Sequence, residues 1–114
     1  MKNNVKNLII IAVVIVVVAG IIILLKNRQS QMTLFYSDTC PHCKILEQYI
    51  VDNNVKERFN FEELEISNTN NVFLLERRYR ECNLDTSQGI GVPFFWDGQK
   101  CLMGTDEIIN YFTK

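Results

Sequence analysis

The chain has 114 residues, 47% of them hydrophobic, with 12 Lys and Arg against 13 Asp and Glu for a formal net charge of −1. That near balance hides an asymmetry: four cations and no anion lie at or before Arg28, so the remainder carries eight cations against 13 anions, a net of −5. An acidic domain of this kind excludes nucleic acid as its partner, and residues 32–114 suffice for one small domain with a modest core.

Leu8 to Leu25 is an unbroken run of 18 residues containing only Leu, Ile, Val, Ala and one Gly. As a helix it extends about 27 Å, close to the hydrocarbon thickness of a bilayer. It is too apolar all round for the one-sided face of a surface helix. Residues 1–7 form a flank carrying Lys2 and Lys6, and Lys26 and Arg28 follow the run, as suits helix ends at the two headgroup layers. The alternative is a cleaved signal peptide with Val17-Val18-Ala19 as its small-residue site. Five further aliphatic residues, Ile21 to Leu25, follow where such a peptide should already be polar. No cysteine precedes Cys40, which excludes a lipoprotein signal. The expectation is a single-pass transmembrane helix over 8–25 and a linker over 26–31. A very short N-terminus that stays inside would place the domain at 32–114 outside the cytoplasm.

Met32 to Tyr36 reads as a buried strand. Ser37, Asp38 and Thr39 supply turn and cap residues, and Pro41 suits the first turn of a helix, where its missing N–H costs nothing. Ile45, Leu46, Tyr49, Ile50 and Asn53 continue at helical spacing. Partial alternation over Arg58 to Ile66 predicts a second strand. Asn68 to Asn71 opens a second helix of the domain, with Val72, Leu75, Tyr79 and Cys82 on one stripe and Phe73 and Leu74 beside it. Asp85 to Gly91 is a loop, Val92 to Trp96 a strand, and Asp97-Gly98 a two-residue hairpin signal leading to Lys100–Met103. Thr105 is placed to cap a last helix bearing Ile108, Ile109 and Phe112. The order is β-α-β-α-β-β-α after the transmembrane helix, an α/β sandwich with one right-handed crossover.

The chemistry concentrates at Cys40-Pro41-His42-Cys43. A dithiol at a strand-to-helix junction is the layout of a thiol–disulfide redox site. A helix N-terminus stabilises a thiolate at Cys40, which makes Cys40 the attacking sulfur and Cys43, one turn in, the resolving one. His42, when protonated, adds a second positive influence. A structural disulfide or half a zinc site is the competing assignment, but His42, Cys82 and Cys101 offer no second close pair of ligands. Free cysteine is among the most buried residue types, so Cys82 and Cys101 are expected as two separate core residues, with a second disulfide as the alternative. Phe94-Phe95-Trp96 reads as core strand, Trp96 being kept as a candidate substrate contact. Arg77, Arg78 and Arg80 are expected to pair with Glu76 and Glu81 or to be solvated.

Thr33 to Cys43, Gly91-Val92-Pro93-Phe94-Phe95 and Gly104-Thr105-Asp106 together resemble the thioredoxin superfamily, and the element order and size most resemble glutaredoxin. The resemblance implies a cis Pro93 facing the cysteine pair, with Val92 giving the backbone edge that grips substrate and Pro41, Gly104 and Asp106 beside it. The chain departs from glutaredoxins where a basic residue upstream of the motif and a threonine before the proline are replaced by Ser37 and Val92, so two groups that would grip glutathione are missing, while Gly104 and Asp106 resemble a third. Leu34 stands where thioredoxins place a buried acid. The Pro-His pair and the valine before the proline instead resemble the periplasmic disulfide oxidases.

The expected function is therefore membrane-anchored thiol–disulfide exchange with protein substrates, carried by Cys40, Cys43 and His42 and needing neither organic cofactor nor metal. A second partner must reset the pair, either a membrane quinone-linked oxidase or a thiol-relay reductase. The rivals are a membrane-tethered module binding a soft metal, copper or zinc, and a cytoplasm-facing, glutathione-dependent glutaredoxin.

Overall fold

The computed structural model describes residues 1–26 and 31–114. Most of the expected linker, Arg28 included, lies outside the described residues. Helix α1 spans Lys2–Lys26, so the N-terminal flank is helical too, and none of its residues is buried. Its most apolar 18-residue stretch has a mean hydropathy of 3.7, long and apolar enough to cross a membrane.

The remainder is mixed α/β. Strand β1 (Met32–Tyr36) is followed by α2 (Pro41–Asp52), a four-residue α3 (Val55–Arg58), β2 (Phe61–Glu65), α4 (Thr69–Glu81), β3 (Phe94–Trp96), β4 (Cys101–Met103) and α5 (Thr105–Phe112). The sheet order is β2-β1-β3-β4. β1 and β2 are parallel, Met32 opposite Phe61 through Tyr36 opposite Glu65, as the α2 crossover requires. β1–β3 and β3–β4 are antiparallel.

Alternation along the strands divides the core between two faces. Leu34 and Phe95, register partners, lie on one face with Phe61 beneath Leu46 and Ile50 of α2, Val55 of α3 and Ile108 and Phe112 of α5. Phe35 and Phe94, also partners, lie on the other with Trp96 beneath Leu75 and Tyr79 of α4. Each fully buried side chain of this size contributes about 1.5–3 kcal/mol. Both central strands are thus covered on both sides, and the C-terminal end of β1, where the dithiol motif begins, stays at the rim.

Several expectations need correction. The strand expected over Arg58 to Ile66 is shorter, because Asn54 turns the chain at φ 48° into α3, with Arg58 at its end. The strand expected from Val92 starts at Phe94. The hairpin turn is shifted by one residue. Asp97 donates its N–H to the Lys100 carbonyl at 3.1 Å, which leaves Gly98 and Gln99 as the central pair, and Gly98 supplies the positive φ (101°) that the first central position needs. Ile45, one of the residues at helical spacing in α2, is 57% exposed. Trp96 is no substrate contact: it is 7% exposed and lies under the Arg78 guanidinium, 4.6 Å from the ring centroid. Arg78 also pairs with Glu81 at 2.7 Å, as expected of that cluster.

Cys82 and Cys101 are not separate core residues. They are disulfide-bonded, with Cα atoms 6.2 Å apart, joining the C-cap of α4 to the edge strand β4. The bond joins residues 19 apart in sequence, and such a closure stabilises by about 2–4 kcal/mol. The double variant Cys82→Ser/Cys101→Ser is accordingly expected to lose about 2–4 kcal/mol of stability, read as a lower urea midpoint, and an unchanged midpoint would contradict a stabilising role.

Candidate active site at the dithiol motif

Cys40 is the N-cap of α2, extended at φ −88° and ψ 117°, and Pro41 takes the first helical position. The loop before it is short and self-bonded: the Cys40 N–H donates to the Ser37 carbonyl at 3.1 Å, and the Ser37 and Thr39 hydroxyls lie 3.1 Å apart. These contacts end β1 and aim Cys40 past the sheet. A cysteine at an N-cap does what an oxygen-bearing side chain does there. Its Sγ accepts the Cys43 N–H at 3.3 Å, filling one orphan donor of the helix start. The first turn holds no acidic residue to oppose the positive helix end.

The two sulfurs sit in different surroundings. Cys40 is partly exposed, whereas Cys43 is 1% exposed. Burial, then the neighbouring Cys40 sulfur, pushes the Cys43 thiol up to about 12, against a smaller lowering from the Ser37 backbone. Cys43 is therefore a protonated thiol at neutral pH, and Cys40 is the sulfur a reagent can reach. Iodoacetamide at neutral pH is expected to modify Cys40 alone, with mass spectrometry locating the adduct; modification of Cys43 first would reverse the assignment. A thiol whose folded value lies above its ordinary 9.0 stabilises the fold fully below pH 9 and loses that contribution as pH climbs toward 12. The reduced protein should lose urea resistance across that window more steeply than a Cys43→Ser variant does.

The Cys40 thiol donates toward the Val92 carbonyl across 3.7 Å, a contact 52 residues apart in sequence. The Val92–Pro93 peptide bond is cis. The Pro93 carbonyl accepts the Gly104 N–H at 3.0 Å, so Val92-Pro93 and the start of α5 are tied together. Gly104 caps α5 at φ 82°, a conformation that favours glycine. Thr105, expected from sequence to cap the helix, instead occupies its first turn behind Gly104 and donates its hydroxyl to the His42 carbonyl at 2.9 Å. The α5 N-cap has no side-chain bond of its own; Glu107 instead reaches back past it and accepts the Met103 N–H at 2.9 Å.

The expected site residues thus divide. His42, Val92, Pro93, Gly104 and Asp106 line one open groove of about 440 Å³, with Met103 and Glu107 beside them. Cys40 reaches that groove through Val92, and Cys43 lies buried behind Cys40. Pro41 is exposed and is not among the groove's lining residues; its place is to start α2. His42 is exposed, and its main chain rather than its ring ties α2 to α5.

The surroundings are negative on the other side. The Tyr36 phenol is raised, first by burial and then by Asp38, Glu63, Glu47 and Glu65. Among the described residues, no group of three or more His, Cys, Asp or Glu side chains is arranged to hold a metal ion. The Cys82–Cys101 bond also takes both of those sulfurs out of any ligand set with the motif.

Sequence reasoning missed the role of Thr105, whose hydroxyl bridges two helix starts, and that of Tyr79, which bonds the chain just before Val92. A tyrosine on a buried helical stripe is a signal for the latter, since its hydroxyl needs a partner. No family model, curated protein or solved structure matches the chain.

Proposed function

We propose that the chain is a membrane-anchored thiol–disulfide oxidoreductase of thioredoxin-like, glutaredoxin-type architecture that exchanges disulfides with protein substrates. The carrying observation is the asymmetric dithiol: a partly exposed Cys40 capping α2 and touching the Val92 carbonyl, with Cys43 buried and protonated behind it.

The exchange follows from that asymmetry. The Cys40 thiolate attacks one sulfur of a substrate disulfide; a Cys40–substrate bond forms, the substrate S–S bond breaks and the other substrate sulfur leaves as thiolate. Cys43 then gives up its proton and attacks the Cys40 sulfur. A Cys40–Cys43 disulfide forms, the second substrate sulfur leaves, and two electrons have passed from the dithiol to the substrate. Run backwards, the same steps oxidise a substrate dithiol. A partner of the quinone-linked oxidase or thiol-reductase class resets the pair.

Helix α1 is read as the anchor. The Cys82–Cys101 bond supports an extracytoplasmic placement of the domain, since disulfides persist in oxidising compartments. The acidic surroundings of Tyr36 and the absence of a basic residue at Ser37 favour a protein chain over anionic glutathione as partner.

The test is the reduction potential of the Cys40–Cys43 pair, with turnover of a disulfide-linked peptide by the full chain in detergent micelles. A potential near about −120 mV makes the pair a disulfide donor, and one near about −270 mV a reductant. Stoichiometric copper(I) or zinc binding with no exchange on any peptide disulfide or dithiol would overturn the enzymatic reading.

A further inference from the structure

Tyr79 lies one turn from the end of α4, 1% exposed, its ring stacked on Phe94 at 4.9 Å with 22° between the planes. Its hydroxyl makes two bonds to a single residue. It accepts the Gly91 N–H at 2.8 Å and donates to the Gly91 carbonyl at 3.2 Å. Gly91 immediately precedes Val92, in a stretch with no regular strand between α4 and Phe94. One phenol therefore pairs both main-chain groups of the residue leading into the groove edge; Gly91 itself is exposed, so what the two bonds supply is position. A Cβ on Gly91 would meet that same oxygen at 3.8 Å, so the approach is close without being crowded.

The residues on either side are held by other means. Pro93 is fixed through its carbonyl to Gly104, and Leu84 donates its N–H to the Tyr79 carbonyl at 2.9 Å. Between these two ties, the Tyr79 hydroxyl holds the segment from the side opposite the dithiol, because α4 covers the face of the sheet away from α2. The Val92 carbonyl then sits 3.7 Å from Cys40 Sγ. We propose that Tyr79 is a positioning residue for the substrate edge: its hydroxyl, acting through Gly91, sets where Val92 meets an incoming chain. This rests on the redox reading of the groove.

The variant is Tyr79→Phe in the full chain in detergent micelles, which keeps the ring on Phe94 and removes only the hydroxyl. Two substrates are compared: a disulfide-linked extended peptide, which uses the Val92 edge, and hydroxyethyl disulfide, which is too small to use it. The expected result is a fall of about tenfold in kcat/KM for the peptide, carried by KM, with hydroxyethyl disulfide within about twofold of the unsubstituted chain. Amide hydrogen exchange at Gly91 should accelerate by about a hundredfold while β1 amides hold. Equal losses on both substrates, or unchanged Gly91 exchange, would overturn the proposal. Should the variant not fold, exchange in the unsubstituted chain decides: a Gly91 amide slowed like those of β3 supports the proposal, and one exchanging as open loop refutes it. If the unsubstituted chain turns over neither disulfide, the redox reading fails and the substrate role falls with it. The Gly91 exchange contrast would then separately report whether the hydroxyl holds the loop.

Discussion

Cys40→Ser is expected to abolish exchange, and Cys43→Ser to stop it halfway with the substrate still attached. The two outcomes differ because the two sulfurs differ in access: Cys40 is partly exposed and Cys43 buried. Cys40 is the sulfur that meets the groove edge through Val92, and its partners are an N–H from the helix start and the Val92 carbonyl. A serine there keeps the cap, since its oxygen accepts the same N–H, so the helix and the fold survive. What is lost is the nucleophile, because an alkoxide is not available near neutral pH. The loss should be on the order of a thousandfold or more, as when an enzyme loses its attacking atom. At Cys43 the argument reverses. In the proposed exchange the buried thiol, raised to about 12, takes no part in the first attack but is needed to release the product. Cys43→Ser should therefore accumulate a mixed disulfide on Cys40, seen as a mass increase that a reductant removes. Absence of trapped species in membranes carrying the variant, together with normal turnover, would mean that Cys43 is not the resolving thiol.

How far the sequence carried this reading differs from element to element. The start of α2 was legible because Pro41 has one favourable place in a helix and because Met32–Tyr36 is apolar enough to be a buried strand. The two-faced core was also legible, since Leu34 next to Phe35 and Phe94 next to Phe95 can be buried together only if both faces of the sheet are covered. Other features depend on contacts that no local pattern encodes. The Cys82–Cys101 pair requires the end of α4 to meet the edge strand, and a spacing of 19 residues is equally consistent with two isolated thiols. Helix α3 has four residues, fewer than a periodic pattern needs to declare itself, and Asn54 enters it through a left-handed turn. Thr105 was placed one position late in the cap because the conformation of Gly104, not the identity of Thr105, decides where α5 begins. Within the candidate site, the dithiol was visible as a motif, whereas its contact with Val92 spans 52 residues and exists only in the folded chain.

Phe95→Ala should cost more stability than any surface change in the domain. Phe95 is fully buried on the central strand pair, opposite Leu34. Its ring lies 5.6 Å from Phe61, 5.1 Å from Phe112 and 5.5 Å from Tyr111, so it is the common neighbour of β2 and two residues of α5. Truncation loses the transfer free energy of the ring and leaves a cavity that these surrounding rings can only partly close, a cost of about 3–5 kcal/mol. A domain of this size has roughly 4–12 kcal/mol in total, so the variant should unfold at much lower urea, with a substantial unfolded fraction at 37 °C. Ile45→Ala, at a position 57% exposed, is the control and should stay within about 0.5 kcal/mol. Urea titration of the full chain in micelles, followed by Trp96 fluorescence, distinguishes them; comparable midpoints for the two variants would mean that Phe95 is not the keystone of this face. The consequence extends to the dithiol. Phe95 lies two residues beyond Pro93, and α5, which Phe95 holds through Phe112, carries the Thr105 hydroxyl that reaches His42. Loss of this ring should therefore loosen the groove from both sides before the sheet itself gives way.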